Sequence, residues 1–163
     1  MAERSMGFEA FYRAERPDIL RAVIMALDDR DLALDCVDEA LVRAYERWDS
    51  LESMTNPAGW VFRVAVNCGL NRHRRRRLER LRPLRPDPRS SDLDGVADPA
   101  MARALARLSV EQRTVVILRY HLDWTIEQVA TALDISAGTV KSRLHRALRR
   151  LETLLGGQND HAH

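Results

Sequence analysis

Residues 125–150 read TIEQVATALDISAGTVKSRLHRALRR, and the organisation of the chain is best read outward from this stretch. Thr125 stands three residues before Gln128, the spacing at which a hydroxyl and an amide cap a helix start reciprocally. From there Ile126, Val129, Ala130 and Leu133 recur on one helical face, with Ala130 small enough for a close helix crossing. The pattern breaks at Asp134-Ile135-Ser136. Aspartate tolerates the left-handed turn position better than most residues, and Ser136 is placed to cap a second helix. On that helix Val140, Leu144, Ala147, Leu148, Leu151 and Leu155 cluster on one side. Gly138, Ser142, His145, Arg146 and Arg149 point the other way, with Thr139, Lys141 and Arg143 on the flanks. Two helices on so short a turn predict a helix-turn-helix over Thr125–Arg150. A basic face without acids suits a polyanionic groove, and serine and arginine near the N-terminal half can reach base edges. The plainer alternative is an amphipathic helix whose charged face is merely solvated; the short turn, the small crossing residue and the two caps weigh against it.

Upstream, Asp98-Pro99 pairs a capping aspartate with proline at the first helical position, and Ser109 with Gln112 forms another capping box. Four helices are expected here, over about Pro99–Leu108, Val110–His121, Ile126–Leu133 and Ala137–Leu155. Before them, Leu81–Asp98 holds Pro83, Pro86 and Pro88 with Ser90, Ser91 and Gly95 and has little apolar periodicity, which reads as a linker. Fully extended, its 18 or so residues reach roughly 60 Å, at ~3.3 Å per residue. That approaches two turns of DNA, ~34 Å each. Three helical stretches precede the linker. The first, about Phe8–Leu27, carries Phe8, Phe11, Tyr12, Ile19, Leu20, Val23, Ile24 and Leu27, and Pro17 is expected to kink or divide it. The second, Asp31–Trp48, is expected to bury Leu34, Val37, Leu41, Ala44, Tyr45 and Trp48. The third starts at Asn56-Pro57 and runs through Trp60, Val61, Val64, Ala65 and Cys68 into an arginine run. The fold class is therefore all-α. An N-terminal three-helix domain (residues 6–80) and a C-terminal four-helix domain (98–156) are joined by a linker (81–97), and a polar tail (157–163) follows.

Charge is distributed unevenly along this chain, whose net charge is only +2. Arg72–Arg89 holds nine arginines against Glu79 and Asp87; Ser136–Arg150 holds five Lys or Arg and no acid; Leu27–Glu52 holds nine acids against three arginines. Two basic regions and one acidic region suggest at least two kinds of partner. Cys36 and Cys68 sit in apolar helical patterns without a secretory signal and read as reduced core residues, which places the protein in the cytoplasm. His73, His121, His145, His161 and His163 make no ligand spacing with the cysteines, and no nucleophile–base constellation is visible. Neither an enzyme nor a metal or cofactor site is expected.

The run LDISAGTVKSRLHRAL, Leu133–Leu148, resembles the recognition segment of the extracytoplasmic-function (group IV) sigma factors of bacterial RNA polymerase, above all at Gly138–Leu144. Leu118-Arg119-Tyr120 and Leu108-Ser109 through Gln112 are similar to that family's fourth region. Leu34–Trp48, with Val37, Glu39, Arg43, Ala44 and Trp48, resembles its second-region docking helix. Pro57–Arg75, with Trp60, Phe62, Arg63, Ala65, Asn67, Asn71 and Arg72, resembles the helix that engages the −10 element.

The resemblance implies a promoter-specificity subunit that docks on the clamp and flap elements of core RNA polymerase and binds promoter DNA. It also admits an anti-sigma partner, which no segment here identifies. Asp35, Asp38, Glu39 and Arg43 would form the polymerase-docking face; a solvated helix face is the alternative. A melted −10 base must be captured in a pocket, which Ser53, Thr55 and Asn56 would supply beside Arg63 and Asn67, with Asn71 on the same helix. The run Arg72 and Arg74–Arg77 fits duplex phosphate, above all Arg72, Arg74 and Arg75, with plain solvation as the alternative for part of it. Trp60 serves either the core or base stacking. Ser136, Thr139, Lys141, Ser142, Arg143 and Arg146 would read −35. Four departures stand out: Asp38 where glutamine is frequent, Val66 where arginine or histidine is common, Gly69 in mid-helix, and Asp123-Trp124 for a Gly-apolar pair. They put the −10 base preference and the clamp contacts in doubt. A free-standing helix-turn-helix regulator with a sensing or dimerising N-terminal half is the rival function.

Overall fold

The computed structural model describes residues 2–80 and 98–157; the expected linker and all but the first residue of the expected tail lie outside them. The chain divides into two compact units, residues 1–84 and 85–163. All regular elements among the described residues are helical.

The first unit contains α1 (Ala2–Leu27), α2 (Arg30–Glu46), α3 (Trp48–Leu51) and α4 (Pro57–Arg80). Helix α1 runs through Pro17 without a break, so the proline does not divide it. It stops at Asp28, which adopts the left-handed conformation at φ 53°. Asp29 then caps α2 by accepting a hydrogen bond from the Leu32 amide at 3.0 Å. The core lies where α1, α2 and α4 meet, around Val23, Cys36, Val37, Val61 and Phe62. Tyr45 was expected inside but is exposed; its ring instead meets Phe8 edge-on at 5.2 Å. Phe8 and Phe11 close over the buried Trp48, with centroids at 5.4 and 4.9 Å. This cluster accounts for the extra turn α3, which carries Trp48 and Leu51 into the core at and just past the expected end of the second helix.

Gly69 has a packing reason. A Cβ there would lie 2.7 Å from Leu27 Cδ2 and nearer still to Cδ1, so α4 passes the end of α1 too closely for a side chain.

The second unit contains α5 (Pro99–Ala106), α6 (Val110–Val116) with a π-helical turn at Ile117–His121, α7 (Ile126–Leu133) and α8 (Ala137–Gly156). Both capping boxes form, Ser109 with Gln112 and Thr125 with Gln128. The expected single helix Val110–His121 widens into the π turn at Ile117–His121, and Asp123, two residues beyond it, adopts φ 55°. Asp123 thus holds the left-handed conformation that glycine adopts freely. Arg113 is buried at 4% exposure, and its guanidinium donates to the carbonyls of Leu105, Ala106 and Leu108. It satisfies the orphan carbonyls at the end of α5.

Candidate nucleic-acid interface

In the second unit the turn between α7 and α8 is set by Asp134 at φ 55°, ψ 47°, the left-handed stop expected of it. Ser136 caps α8 through its Oγ, which accepts from the Thr139 amide at 3.1 Å and lies 2.8 Å from Thr139 Oγ1. Val140, Leu144, Ala147 and Leu151 are buried, while Leu148, expected with them, is exposed. On α7 the buried small residue is Ala132, with Ala130 half-buried, so the tightest packing falls two residues later than the periodicity suggests. The opposite face of α8 presents Lys141, Ser142, His145, Arg146 and Arg149 to solvent, and Arg143 is half-buried. Among the described residues no acid pairs with any cation of this helix. Ser136 and Thr139 are partly committed to the cap and Ser142 Oγ donates to the Thr139 carbonyl at 3.1 Å, so the cations are the better-placed outward groups.

The first unit treats its cations differently. A groove of about 460 Å³ between α2 and α4 is lined by Glu39, Arg43, Arg63, Asn67, Asn71, Arg72 and Arg75, with Val64 and Cys68. Arg63, Asn67, Asn71 and Arg75 follow one another at four-residue intervals along one stripe of α4. The groove therefore joins residues expected on two separate faces, the docking face and the −10 face.

Glu39 stands between them. Its Oε1 accepts from Arg43 at 2.6 Å and its Oε2 from Arg72 at 2.7 Å, while Cys68 Sγ donates to the same Oε2 at 3.5 Å. Arg72 also lies 3.8 Å from Asp35, and Arg76 lies 3.9 Å from Asp29. Moving back along α2 meets residues further along α4, so the two helices run antiparallel with their charges in register. Asp38, the fourth of the expected docking residues, pairs with Arg16 of α1 at 3.1 Å. Arg72 is held above its ordinary range by the Cys68 and Cys36 sulfurs and by the Glu39 and Asp35 carboxylates. Ser53, Thr55 and Asn56 do not line the groove. Asn56 Oδ1 instead accepts from the Gly59 amide at 2.9 Å as the cap of α4, and Ser53 Oγ donates to the Ser50 carbonyl at 3.2 Å. Trp60 is half-buried. Arg16 and Arg113 gave no signal in the sequence, and Arg76 none beyond its place in the arginine run, because each is defined by partners on another element.

An all-helical pair of units, one with a helix-turn-helix and the other with a cation-lined groove, is the architecture of a DNA-binding protein. Comparison with known proteins makes the class specific. The family model for sigma-70 region 2 matches residues 11–79, and that for sigma-70 region 4 matches residues 99–151. The chain is 35% identical over 149 residues to the RNA polymerase sigma-E factor of Streptomyces coelicolor, covering 90% of this chain and 84% of that protein. It is 33% identical over 157 residues to the ECF RNA polymerase sigma factor SigL of Mycobacterium tuberculosis, covering 90% and 87%. Among solved structures, the sigma factor RpoE of Bartonella quintana, determined with the anti-sigma factor NepR, matches with a TM-score of 0.74 and 26% identity over 91% of this chain and 96% of that one. The chain belongs to the sigma-70 family, in its extracytoplasmic-function group. It is an alternative sigma factor that directs RNA polymerase to promoters, and its family is one of transcription initiation factors rather than known enzymes. No helix among the described residues is long and apolar enough to cross a membrane.

Proposed function

We propose that the second unit reads the −35 element with α8 and that the first unit docks on the polymerase clamp and opens the −10 element. The observation that carries this reading is the outer face of α8, where Lys141, Arg146, Arg149 and Arg150 are exposed and no acid competes for them. Lysine and arginine so placed displace counterions from DNA, and Arg146 is placed to reach a base edge. The stripe Arg63–Asn67–Asn71–Arg75 supports the −10 assignment, since paired amides and guanidiniums suit an unstacked base and its phosphates. Asp35, Asp38, Glu39 and Arg43 remain the proposed docking residues, and docking there exchanges the arginine partners of the three acids, and the Glu39 partner of Arg43, for groups on the polymerase. Ser136, Thr139, Ser142 and Arg143 flank the −35 contact. Arg72 and Arg74 serve duplex phosphate beside −10, with Arg72 shared with Glu39. Ser53, Thr55 and Asn56 act at the edge of this site through the start of α4 rather than as its lining. The chain acts in the cytoplasm by binding, without a catalytic step of its own, and an anti-sigma factor remains a proposed partner.

In vitro transcription and footprinting with core RNA polymerase test the assignment. Arg146→Ala is expected to weaken −35 binding and relax its base preference by about 1–3 kcal/mol. Asn67→Ala is expected to leave the −35 footprint intact while lowering permanganate reactivity at −10. A chain that makes no complex with core polymerase would sink the polymerase-dependent part and leave only a free-standing DNA-binding helix-turn-helix. Wild-type permanganate reactivity in Asn67→Ala would remove the −10 role from the groove.

A further inference from the structure

The two cysteines of the chain come from helices far apart in sequence, α2 and α4, which pack against each other beside this groove. Cys36 lies on α2, is fully buried three residues before Glu39, and is close enough to Cys68 for the two thiols to influence each other, while Cys68 of α4 is half-buried and lines the groove. Both thiols are free. Around them sit Glu39 and Arg72, with Cys68 Sγ and Arg72 Nη2 bonded to the same carboxylate oxygen at 3.5 and 2.7 Å. This places a cation within a few ångströms of the accessible sulfur. We propose that Cys36 and Cys68 form a dithiol site that a peroxide oxidises to an intramolecular disulfide joining α2 to α4.

The accessible thiol and the buried one have different parts. Cys68 is reached from the groove, with Arg72 and Glu39 beside it. The Cys36 thiol is pushed up to about 12 by burial and by the neighbouring Cys68, so it does not initiate. In the first step the Cys68 thiolate attacks a peroxide oxygen, the O–O bond breaks, and Cys68 sulfenic acid forms as hydroxide leaves and takes up a proton. In the second step Cys36 sulfur attacks Cys68 sulfur, the S–O bond breaks, and the departing hydroxide leaves as water with the Cys36 proton. Two thiols and one hydrogen peroxide thus give one disulfide and two waters. Because a reducing compartment keeps thiols reduced at rest, such a bond forms only under oxidant and is reversed by a dithiol. The chemistry stands independently of the proposed promoter assignment, although the bond would join the helix proposed to dock on polymerase to the helix proposed to hold −10.

The test uses the full chain, reduced, desalted and exposed to hydrogen peroxide, followed by intact mass and peptide mapping. Wild type is expected to lose two hydrogens as a monomer, to yield a Cys36–Cys68 linked peptide, and to return to its starting mass with dithiothreitol. Cys36→Ala is expected to stop at a Cys68 sulfenic acid trapped by dimedone, and Cys68→Ser to stay unmodified over the same interval. Circular dichroism confirms that both variants are folded before oxidation; should Cys36→Ala unfold, Cys36→Ser and the wild-type peptide map decide the matter. Accumulation of Cys68 sulfinate or of a Cys68-linked dimer in wild type, without the internal disulfide, overturns the proposal. So does oxidation of Cys36 at the wild-type rate in Cys68→Ser.

Discussion

The cations of α8 and those of α4 have the same chemistry but different surroundings. On α8 they face outward from a helix with no acid before Glu152, and none is paired among the described residues. On α4, Arg72 and Arg76 are drawn onto Glu39, Asp35 and Asp29 of the antiparallel helix beside them. A basic run is thus two different objects depending on what packs alongside. The first is ready for a polyanion at once. The second must exchange an internal carboxylate for an external phosphate. These pairs are a third or more exposed on the arginine side, and such pairs contribute only about 0–1 kcal/mol each, so the exchange is not costly.

The two units also differ in what a glycine does, and here the largest effect is expected. Gly69→Ala ordinarily gains about 1 kcal/mol in helix propensity. At this position the added methyl meets Leu27, which is only 3% exposed at the end of α1 and has little room to move. Overpacking of this kind costs about 1–3 kcal/mol, so after the propensity gain a net destabilisation of up to roughly 2 kcal/mol is expected in urea unfolding. Gly138→Ala in α8 meets nothing nearer than Ser136 Oγ at 3.9 Å and is expected not to destabilise. Equal stability changes at the two glycines would remove the close crossing of α1 and α4 as the reason for Gly69.

How much was legible in the sequence follows the same division. In the second unit, Ser109, Thr125, Asp134 and Ser136 act on backbone within a few residues, and each was readable from spacing alone. The outward direction of Arg146 and Arg149 followed from the apolar stripe, which placed Lys141 only on the flank. In the first unit, the stripe Arg63–Asn67–Asn71–Arg75 was partly readable, but the groove was not, because Glu39 reaches Arg72 across 33 positions of sequence. Proximity of that kind depends on how α2 and α4 pack, and a local pattern carries no trace of it. The same holds for Tyr45, whose position in the α2 pattern suggested burial until Phe8 and α1 fixed which face was covered. The π turn before Asp123 likewise has no signal in periodicity, since it widens a helix that the apolar residues describe as continuous.

Asp123→Gly is expected to have the next largest effect, with the opposite sign. A left-handed conformation costs a non-glycine residue roughly 1–2 kcal/mol, although aspartate pays less than most and glycine loses more chain entropy on folding. The Arg119–Asp123 contact at 3.6 Å offers little in return, because the aspartate side chain is 95% exposed. A gain of about 0.5–1 kcal/mol in the stability of the second unit is expected, with the −35 footprint unchanged. A loss of stability would show that the Asp123 carboxylate holds the turn in some way beyond its backbone.

The smallest effect is expected where the two basic regions differ most directly, at Glu39. Glu39→Gln removes the charge shared by Arg43 and Arg72 while keeping the size of the side chain and part of its hydrogen bonding. Stability should fall by less than about 1 kcal/mol, because the pairs are surface pairs. Binding of a forked −10 duplex by holoenzyme is the more informative measurement. Each additional phosphate neutralised steepens the fall of log affinity with log salt by about 0.7–0.9. If Glu39 withholds Arg72 from the backbone, the variant should show a slope steeper by up to that amount and a few-fold tighter binding at low salt, with −35 contacts unaffected. An unchanged slope together with normal clamp docking would mean that Arg72 is a structural tie between α2 and α4. The phosphate contacts beside −10 would then fall to Arg74 and Arg75, and α4 would resemble α8 on its outward face alone, with its other cations committed to the fold.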